Sequence, residues 1–480
     1  MKILLINPNS EVGNNSGKFG RFVVPAPPVG IAYIAAVLQN NGFKVKVIDQ
    51  FGNKMSNDAL VAEIEKEQPR IVGFSVLTPS IRNTSEIVRK IKALNKNIII
   101  VLGNMHPTVF SDMVLRDGVA DIVVKGEGEM TMLDVAIKVR DSKSFSGVEG
   151  ISYIDQGRII NNPDRSLIAD INQLPFPEWS LFSLKDYQQG TPMLSLRNEG
   201  VPLLSSRGCN FKCTFCAQDK IYEKVRFREN GNIMDEIEYF YRKLGIGHFV
   251  FCGPYFPFTI KQGMEFCEEF MSRGLHKKVV WFTETRVDLV DLKLLKMMKK
   301  SGLRLIMYGF ESGNQKVLNS MNKGITLEQS MQAMRFTKEA GILTLGLFIL
   351  GMPGENTETC KDTIRFAKEL DCDIAKFNLA VPYPGSRFFD EYKDKLSTID
   401  QFEKFTSWYN WTADSGDLIF VPEGMTSEEL SSLQKKAMFE FYMRPKIIFR
   451  HIFKGISSIR NLIAGGYILV YNFFAKKFKK

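Results

Sequence analysis

Arg207-Gly208-Cys209-Asn210-Phe211-Lys212-Cys213-Thr214-Phe215-Cys216 places three cysteines within eight residues. Three thiolates at this spacing can ligate three irons of a cubane [4Fe–4S] cluster. The next cysteine along the chain is Cys252, so no fourth thiolate lies nearby to complete the coordination. One iron is therefore left open, and an open metal position can bind a substrate or cofactor, as a catalytic metal site must.

Two other uses of these cysteines have to be weighed. A structural zinc site takes four ligands in two closely spaced pairs, and the nearest histidine, His248, is too far along the chain for that pattern. A disulfide framework is disfavoured because seven cysteines is an odd number and no signal peptide precedes them. We therefore predict a cytoplasmic protein with reduced thiols.

Composition indicates a globular protein rather than a nucleic-acid binder. The 480 residues are 44% apolar and 24% charged, enough for two or three domains. The net charge of +10 is concentrated at one end, since the residues from Phe441 onward include nine basic side chains and no acidic one. The rest of the chain carries a net charge of +1, which argues against a nucleic-acid partner. The nine are Arg444, Lys446, Arg450, Lys454, Arg460, Lys476, Lys477, Lys479 and Lys480.

Residues 1–145 alternate short apolar runs with amphipathic segments, which predicts a parallel sheet with helices on both faces, a flavodoxin-like doubly wound domain. We expect strands at 3–6, 45–48, 71–75, 98–102 and 121–124, and helices at 29–40, 57–67, 81–94, 108–116 and 129–140. Residues 146–191 contain Pro175 and Pro177 and are predicted to be a linker.

A second βα series runs from 192 to 400. Its six predicted strands, at 203–205, 248–251, 279–284, 304–309, 344–350 and 374–381, fit a partial (βα)6 TIM barrel rather than the usual eight-stranded one. Residues 401–480 are predicted to be a helical extension with a basic amphipathic tail. Ligand sites in such α/β sheets lie at the carboxyl ends of the strands.

The C-x3-C-x2-C spacing, with an aromatic residue before the last cysteine, resembles the signature of the radical S-adenosylmethionine (SAM) enzymes. In that family SAM chelates the open iron and is cleaved to a 5′-deoxyadenosyl radical. The resemblance continues in order through residues 203–386, including the strings Gly309-Phe310-Glu311-Ser312-Gly313 and Gly351-Met352-Pro353-Gly354-Glu355. It implies that Cys209, Cys213 and Cys216 are the catalytic metal ligands and that SAM is bound by Phe215, Gly253, Arg286, Glu311, Ser312 and Gly351. For Arg286 the expected partner is either the SAM carboxylate or a salt bridge.

The first domain is similar to the cobalamin-binding domain that precedes the barrel in one radical SAM subfamily. The resemblance is carried by Gly103-Asn104-Met105-His106-Pro107-Thr108, by Gly126-Glu127-Gly128-Glu129 and by Pro27-Pro28-Val29-Gly30. Asn104 stands where a second glycine is usual, and His106 is expected to shape its loop rather than to ligate cobalt. The implied cobalamin-binding residues are Ser75, Thr78, Gly103, His106, Gly126, Glu127 and Gly128.

Taken together, the resemblances imply a cobalamin-dependent radical SAM methyltransferase, close to the branch of the anaerobic magnesium-protoporphyrin monomethyl ester cyclase and of lipid-modifying enzymes. A non-methylating cyclase, an oxidoreductase or a C–C bond-forming enzyme of the same family is one alternative. A non-catalytic iron–sulfur or cobalamin carrier is another. The expected partners are a small, lipid-like or secondary-metabolite substrate and an electron donor such as flavodoxin or ferredoxin.

The C-terminal tail suggests contact with a membrane. Asn461–Ala475 is free of charge, too short to span a bilayer, and flanked by basic residues. A helix docked on the barrel would explain the same pattern. The sequence thus predicts a cytoplasmic enzyme, with peripheral membrane association at the inner face as one of two interpretations of the tail.

Overall fold

The computed structural model describes residues 1–10, 26–185, 187, 200–395, 402, 404–405, 418–454, 456, 463 and 466–467. Within them the chain forms two large sheets, each flanked by helices. Both sheets are built on apolar runs whose Ile, Val, Leu and Phe side chains are buried, which is typical of parallel strands covered on both faces.

The first sheet has the strand order β2-β1-β3-β4-β5-β6-β7, and its first five strands are parallel. This order confirms the predicted flavodoxin-like, doubly wound fold. The strands are β1 (Lys2–Asn7), β2 (Lys44–Asp49), β3 (Ile71–Ser75), β4 (Ile99–Gly103), β5 (Ile122–Val124), β6 (Ile151–Asp155) and β7 (Arg158–Asn161). The helices are α1 (Val29–Asn40), α2 (Asn57–Glu67), α3 (Ile81–Leu94), α4 (Met105–Val109), α5 (Ser111–Arg116) and α6 (Gly128–Arg140). The single helix predicted over 108–116 is thus two short ones.

Strands β6 and β7 correct the prediction that residues 146–191 are only a linker. They form an antiparallel hairpin that extends the first sheet beyond β5. Gln156 and Gly157, at the turn, both have positive φ, +46° and +77°, as a two-residue hairpin turn requires. The overlooked signal was the short run Ile151-Ser152-Tyr153, which is buried because β6 lies between β5 and the edge strand β7.

The second sheet has six parallel strands in the order β8-β11-β12-β13-β14-β15, as predicted for a partial barrel. The strands are β8 (Gly200–Leu204), β11 (His248–Cys252), β12 (Val280–Thr285), β13 (Leu303–Glu311), β14 (Leu343–Leu350) and β15 (Ile374–Leu379), with a separate small pair, β9 (Ser206–Arg207) and β10 (Arg226–Phe227). The helices here are α7 (Gln218–Ile221), α8 (Asn230–Leu244), α9 (Ile260–Ser272), α10 (Leu292–Lys300), α11 (Gln315–Ser320), α12 (Leu327–Glu339), α13 (Thr357–Leu370), α14 (Arg387–Tyr392), α15 (Ser427–Tyr442) and α16 (Pro445–Phe453).

The two faces of the second sheet differ. Residues such as Trp281, Tyr308 and Phe348 point outward and are fully buried under the helices. The inward-facing side chains near the amino ends of the strands form a separate apolar cluster, which we call the barrel floor and which comprises Phe282, Leu305, Ile374 and Ile456. Ile456 follows α16 and is 1% exposed, so the C-terminal region closes the barrel from below.

Ion pairs hold α16 in that position. Asp371 and Asp373 precede β15, and both face the C-terminal region. Asp371 pairs with Lys446 at 2.8 Å and with Arg450 at 2.6 Å, and Lys454 lies 3.3 Å from Asp373. Burial raises the pKa of Asp371, but its bonds to Lys446 and Arg450 outweigh burial and lower the pKa below its usual value. Much of the positive charge of residues 444–454 is therefore used within the fold.

A buried ion-pair network, which we call the interdomain network, joins the two sheets. Arg207, at the end of β9, binds Glu127 at 2.7 Å and also pairs with Glu129. Arg226 of β10 binds the second oxygen of Glu127 at 2.8 Å, and that oxygen also accepts a bond from the backbone N–H of Ile168. The side chains of Arg207, Glu127 and Glu129 are each no more than 5% exposed.

We expect Arg207→Met to be strongly destabilising. The substitution leaves two buried carboxylates without their main cation, and breaking a buried ion pair in this way costs about 3–5 kcal/mol. Arg242→Met is a matched control, because Arg242 is 74% exposed and its pair with Glu238 is worth less than about 1 kcal/mol. Urea unfolding followed by tryptophan fluorescence measures both, and equal midpoints for the two variants would show that the network contributes little.

Candidate functional site

The cysteine loop leaves the sheet between β9 and α7 and is fixed by the backbone. Gly208 has φ +83°, and a Cβ atom there would lie 2.4 Å from the carbonyl oxygen of Lys224, so only glycine fits. The amide of Thr214 donates to the carbonyl of Met321, and the carbonyl of Thr214 accepts from the amide of Phe388, both at 2.9 Å. The loop is thus held against the carboxyl ends of the barrel strands.

Cys209, Cys213 and Cys216 are half-buried in this loop and form no disulfide. Burial raises the pKa of the Cys213 thiol, and the positive charges of Lys323 and Arg286 counteract that effect. In the part of the chain that the structure describes, no three His, Cys, Asp or Glu side chains surround a point where a single metal ion could sit. Three soft thiols beside two cations fit an anionic iron–sulfur cluster by the chemistry of the donor set.

The other four cysteines lie elsewhere in the barrel. Cys267, Cys360 and Cys372 are buried beneath the helices, and burial raises the pKa of the Cys252 thiol to about 12. These properties match ordinary buried cysteines.

Glu311, the last residue of β13, is predicted to bind the ribose of SAM. It is 7% exposed and has φ +62°, which is rare for a residue with a side chain and is concentrated at functional sites. Its carboxylate accepts a bond of 2.7 Å from Lys323. Lys323 lies below Phe215, with its ammonium group 5.9 Å from the ring centroid. Sequence reasoning missed Lys323, because nothing in its local sequence distinguishes it from a surface lysine.

Arg286 was predicted to face either the SAM carboxylate or a salt bridge, and the structure shows a salt bridge. Its Nε and Nη2 atoms bind Asp288 at 2.9 and 3.0 Å, and Nη1 donates to the carbonyl of Lys323 at 2.9 Å. The guanidinium also lies 3.5 Å from the centroid of the Phe211 ring, inside the cysteine loop. Arg286 therefore supports the cysteine loop from below.

Two more residues of the predicted SAM set are used by the fold itself. Ser312 is fully buried, and its hydroxyl bonds to that of Thr363 in α13 at 3.1 Å. Gly351 has φ +86°, and a Cβ atom there would lie 2.5 Å from Leu430 of α15. The Ser312 hydroxyl and the Cβ direction of Gly351 both face the helix layer, and the SAM contact predicted for these two residues stays a prediction.

Gly253 lies where a ligand could be recognised. A Cβ atom on it would be 3.3 Å from the hydroxyl of Ser206 and 3.8 Å from that of Ser205. Both hydroxyls are buried and have no hydrogen-bond partner in the described chain. Two unpaired hydroxyls beside the cysteine loop fit a polar cofactor such as SAM. Sequence reasoning did not single them out, although they directly precede the Arg-Gly-Cys string.

The predicted cobalamin residues all lie at the carboxyl edge of the first sheet. Ser75, at the end of β3, accepts a bond of 2.9 Å from the side chain of Asn104. Asn104 has φ +85° and ψ −170°, a backbone conformation that essentially only glycine adopts without strain, so Asn104 keeps a glycine-type backbone in a strained form. A Cβ atom on Gly128 would lie 3.0 Å from Ile34, so Gly128 allows close packing, whereas one on Gly103 would make only ordinary contacts with Val124.

The His106 side chain packs against aromatic rings in the core of the first domain. The ring is fully buried, lies 4.8 Å from Phe110 and 5.0 Å from Phe402, and has Thr78 3.3 Å from Nδ1. Burial lowers its pKa to about 3, so the imidazole is neutral. Glu127 is committed to the interdomain network, which gives it a structural role in addition to the predicted cofactor contact.

Gly126 provides the opening in this edge. It has φ +69°, and no heavy atom lies within 4 Å of the position a Cβ atom would take. A flat, bulky cofactor needs such an exposed backbone, so the edge fits cobalamin.

The two candidate sites adjoin. A Cβ atom on Gly385, in the loop after β15, would lie 3.2 Å from the sulfur of Met105 and 3.0 Å from Lys220. Met105 belongs to the edge of the first sheet, and Lys220 belongs to α7, directly after the cysteine loop. The carboxyl ends of both sheets therefore converge on one region.

Comparison with known proteins agrees with this arrangement. Residues 203–367 match the Radical SAM superfamily, and residues 19–136 match the B12 binding domain. An uncharacterized methyltransferase of Pyrococcus horikoshii is 31% identical over 98% of this chain and 99% of its own length. The anaerobic magnesium-protoporphyrin IX monomethyl ester cyclase of Cereibacter sphaeroides is 30% identical over 97% of this chain and 74% of its own.

Solved structures show the same fold. The radical SAM methyltransferase TsrM of Kitasatospora setae, with cobalamin and a [4Fe–4S] cluster bound, has a TM-score of 0.67 at 18% identity, covering 89% of this chain and 81% of that one. The predicted fold class and the predicted cofactors, a [4Fe–4S] cluster, SAM and cobalamin, are those of this group. The chain therefore belongs to the radical SAM enzymes that carry a cobalamin-binding domain.

Proposed function

We propose that this enzyme transfers a methyl group to an unactivated carbon of a small, lipid-like or secondary-metabolite substrate. The observation that supports this most directly is the approach of Met105 to the loop of Gly385, which brings the cobalamin edge next to the cysteine loop. When bound, the cluster and SAM supply a 5′-deoxyadenosyl radical that abstracts hydrogen, and methylcobalamin supplies the methyl group.

The protein's own part is to bind, to orient and to exclude water. Cys209, Cys213 and Cys216 would hold the cluster. Glu311, kept in place by Lys323, would accept hydrogen bonds from the ribose hydroxyls of SAM. The barrel floor seals the lumen, which protects a radical from solvent. We expect a flavodoxin or ferredoxin to deliver the electron.

A non-methylating reaction is the second candidate, because cyclases are among the relatives at 30% identity or more. Anaerobic reconstitution with cobalamin, a reductant and SAM bearing a deuterated methyl group separates the two candidates. The enzyme is incubated with a small-molecule extract of a strain lacking its gene. Mass spectrometry then detects a deuterated methyl group in a product if methyl transfer occurs, and an unlabelled new product if it does not.

We further propose a cytoplasmic enzyme that contacts the inner face of the membrane through its C-terminal region. No helix in the described ranges is both long and apolar enough to cross a bilayer. The predicted anchor at 461–475 lies almost wholly outside the described residues. In support of the proposal, α16 turns Phe449 and Phe453, 58% and 82% exposed, away from the barrel. Exposed aromatic rings near basic residues suit a membrane interface.

Alanine at any one of Cys209, Cys213 or Cys216 should abolish cluster assembly and SAM cleavage, because two thiolates do not hold a cubane firmly. Alanine at Cys252, Cys267, Cys360 or Cys372 should leave the iron content unchanged. Iron and sulfide analysis, together with 5′-deoxyadenosine release, measures both effects. Full iron content in Cys213→Ala would contradict the assignment.

Gly126→Trp should block cobalamin binding, because the indole fills the opening at the sheet edge. Gly118→Trp is the control: Gly118 has φ +67°, equally open space, and lies at the other end of β5. Both substitutions therefore carry the same backbone strain. Hydroxocobalamin retained after desalting is the measurement, and equal retention by the two variants would remove the proposed site.

The double variant Phe449→Glu, Phe453→Glu should lose flotation with anionic vesicles at low salt, because it places two charges on the membrane-facing side of α16. Leu94→Glu is the control, since Leu94 is 52% exposed on the distant helix α3. Flotation of the double variant equal to that of the control, or flotation by neither the wild-type protein nor the control, would exclude this membrane contact.

A further inference from the structure

Three polar side chains, which we call the polar belt, occupy inward-facing positions of the barrel strands. They are Glu284 of β12 and Lys376 and Asn378 of β15. Each alternates with an outward-facing, buried neighbour: Thr283 and Thr285 flank Glu284, and Phe377 separates Lys376 from Asn378. Because side chains alternate along a strand, the belt side chains share the inner face with the barrel floor.

The belt lies between the barrel floor and the candidate SAM site. Glu284 comes two residues after Phe282 of the floor and two residues before Arg286. On β15, Lys376 comes two residues after Ile374 of the floor. In the strand register, Glu284 is paired with Met307 of β13, and Lys376 is paired with Leu347 of β14. The two strands between β12 and β15 therefore place apolar side chains at these levels.

The belt has unused hydrogen-bonding capacity. In the described chain the Glu284 carboxylate makes no hydrogen bond and no ion pair within 4 Å, although the side chain is largely enclosed. The Oδ1 atom of Asn378 is buried and likewise has no partner there. Buried polar groups in proteins are nearly always paired, so the unpaired Oδ1 atom of Asn378, with the unpaired Glu284 carboxylate on the same inner face of the sheet, indicates a ligand.

The pKa shifts of Glu284 and Lys376 agree with an enclosed polar site in the barrel. Burial raises the pKa of Glu284 to about 7, and the nearby negative charge of Glu311 adds to that effect. Burial lowers the pKa of Lys376, partly offset by Glu284. Lys323 also faces Glu284, but its ammonium group is bound to Glu311. Glu284 and Lys376 thus interact electrostatically across the lumen.

We propose that the polar belt binds a polar group of the substrate that donates hydrogen bonds, an amine or a hydroxyl, beneath the position of SAM. The inference rests on the proposed function and narrows its substrate class. A hydrocarbon chain in the lumen would leave Glu284 and Asn378 unpaired, and sites built to bond a donor reject analogues that lack it by large factors. The reacting carbon therefore belongs to a polar metabolite or to the polar end of a lipid.

Glu284→Gln tests this assignment, because it keeps the shape of the side chain and removes its charge. The holoenzyme, reconstituted with cluster and cobalamin, is given SAM with or without the small-molecule extract of a strain lacking the gene. We expect the extract to stimulate 5′-deoxyadenosine release by the wild-type enzyme and to stimulate the variant at least tenfold less. SAM affinity by equilibrium dialysis and release without extract should stay within twofold. Glu238→Gln, a change of the same chemistry on the outer helix α8, is the control.

Asn378→Leu should reproduce the loss, which guards against a local effect of Glu284→Gln on folding. Stimulation that is equal in Glu284→Gln and the wild-type enzyme, or absent in both, would overturn the inference. A matching loss of SAM affinity would also overturn it, because the belt would then hold SAM. Transfer of the deuterated methyl group is measured separately. If the variant loses stimulation but no label is transferred by the wild-type enzyme, the polar belt is supported and the proposed methyl transfer is contradicted.

Discussion

The bonds between Arg207 and the carboxylates of Glu127 and Glu129 hold the two halves of this enzyme in register. Arg207 directly precedes the cysteine loop, whereas Glu127 lies in the loop after β5 and Glu129 lies in the first turn of α6, both at the cobalamin edge. Removing these charges from water costs free energy, and that cost is offset only when every charged side chain of the network is paired. The network therefore ties the position of one cofactor site to that of the other, and a shift of either sheet would leave charges buried and unpaired.

Much of the fold could be predicted from local sequence. Runs of branched apolar residues define the parallel strands, because such strands are buried on both faces. The cysteine spacing located the cluster loop, since three thiols so close together leave few other uses. The β6–β7 hairpin was missed because its signal is only two short strands joined by Gln156 and Gly157, and the two prolines further on suggested a linker.

The charged pairs could not be predicted in the same way. Lys323 reaches Glu311 from twelve residues away, and Arg207 reaches Glu127 across eighty. Such pairs depend on the tertiary structure, which brings distant parts of the chain together, and a local sequence pattern does not specify it. The same reasoning applies to Glu284 and Asn378: each looks like an ordinary strand residue until β12 and β15 are seen to face one lumen. The sequence therefore locates the cofactors better than the substrate.

The position of Ile456 in the barrel floor has a consequence for biosynthesis. The strands that it seals end at Leu379, so more than seventy residues must follow before the barrel can close from below. Domains generally fold in order as they leave the ribosome, the N-terminal one first. The cobalamin-binding half can therefore be complete while the barrel is still open at its base. During that interval the apolar barrel floor is exposed to water. The incomplete barrel therefore presents the kind of apolar surface that chaperones bind.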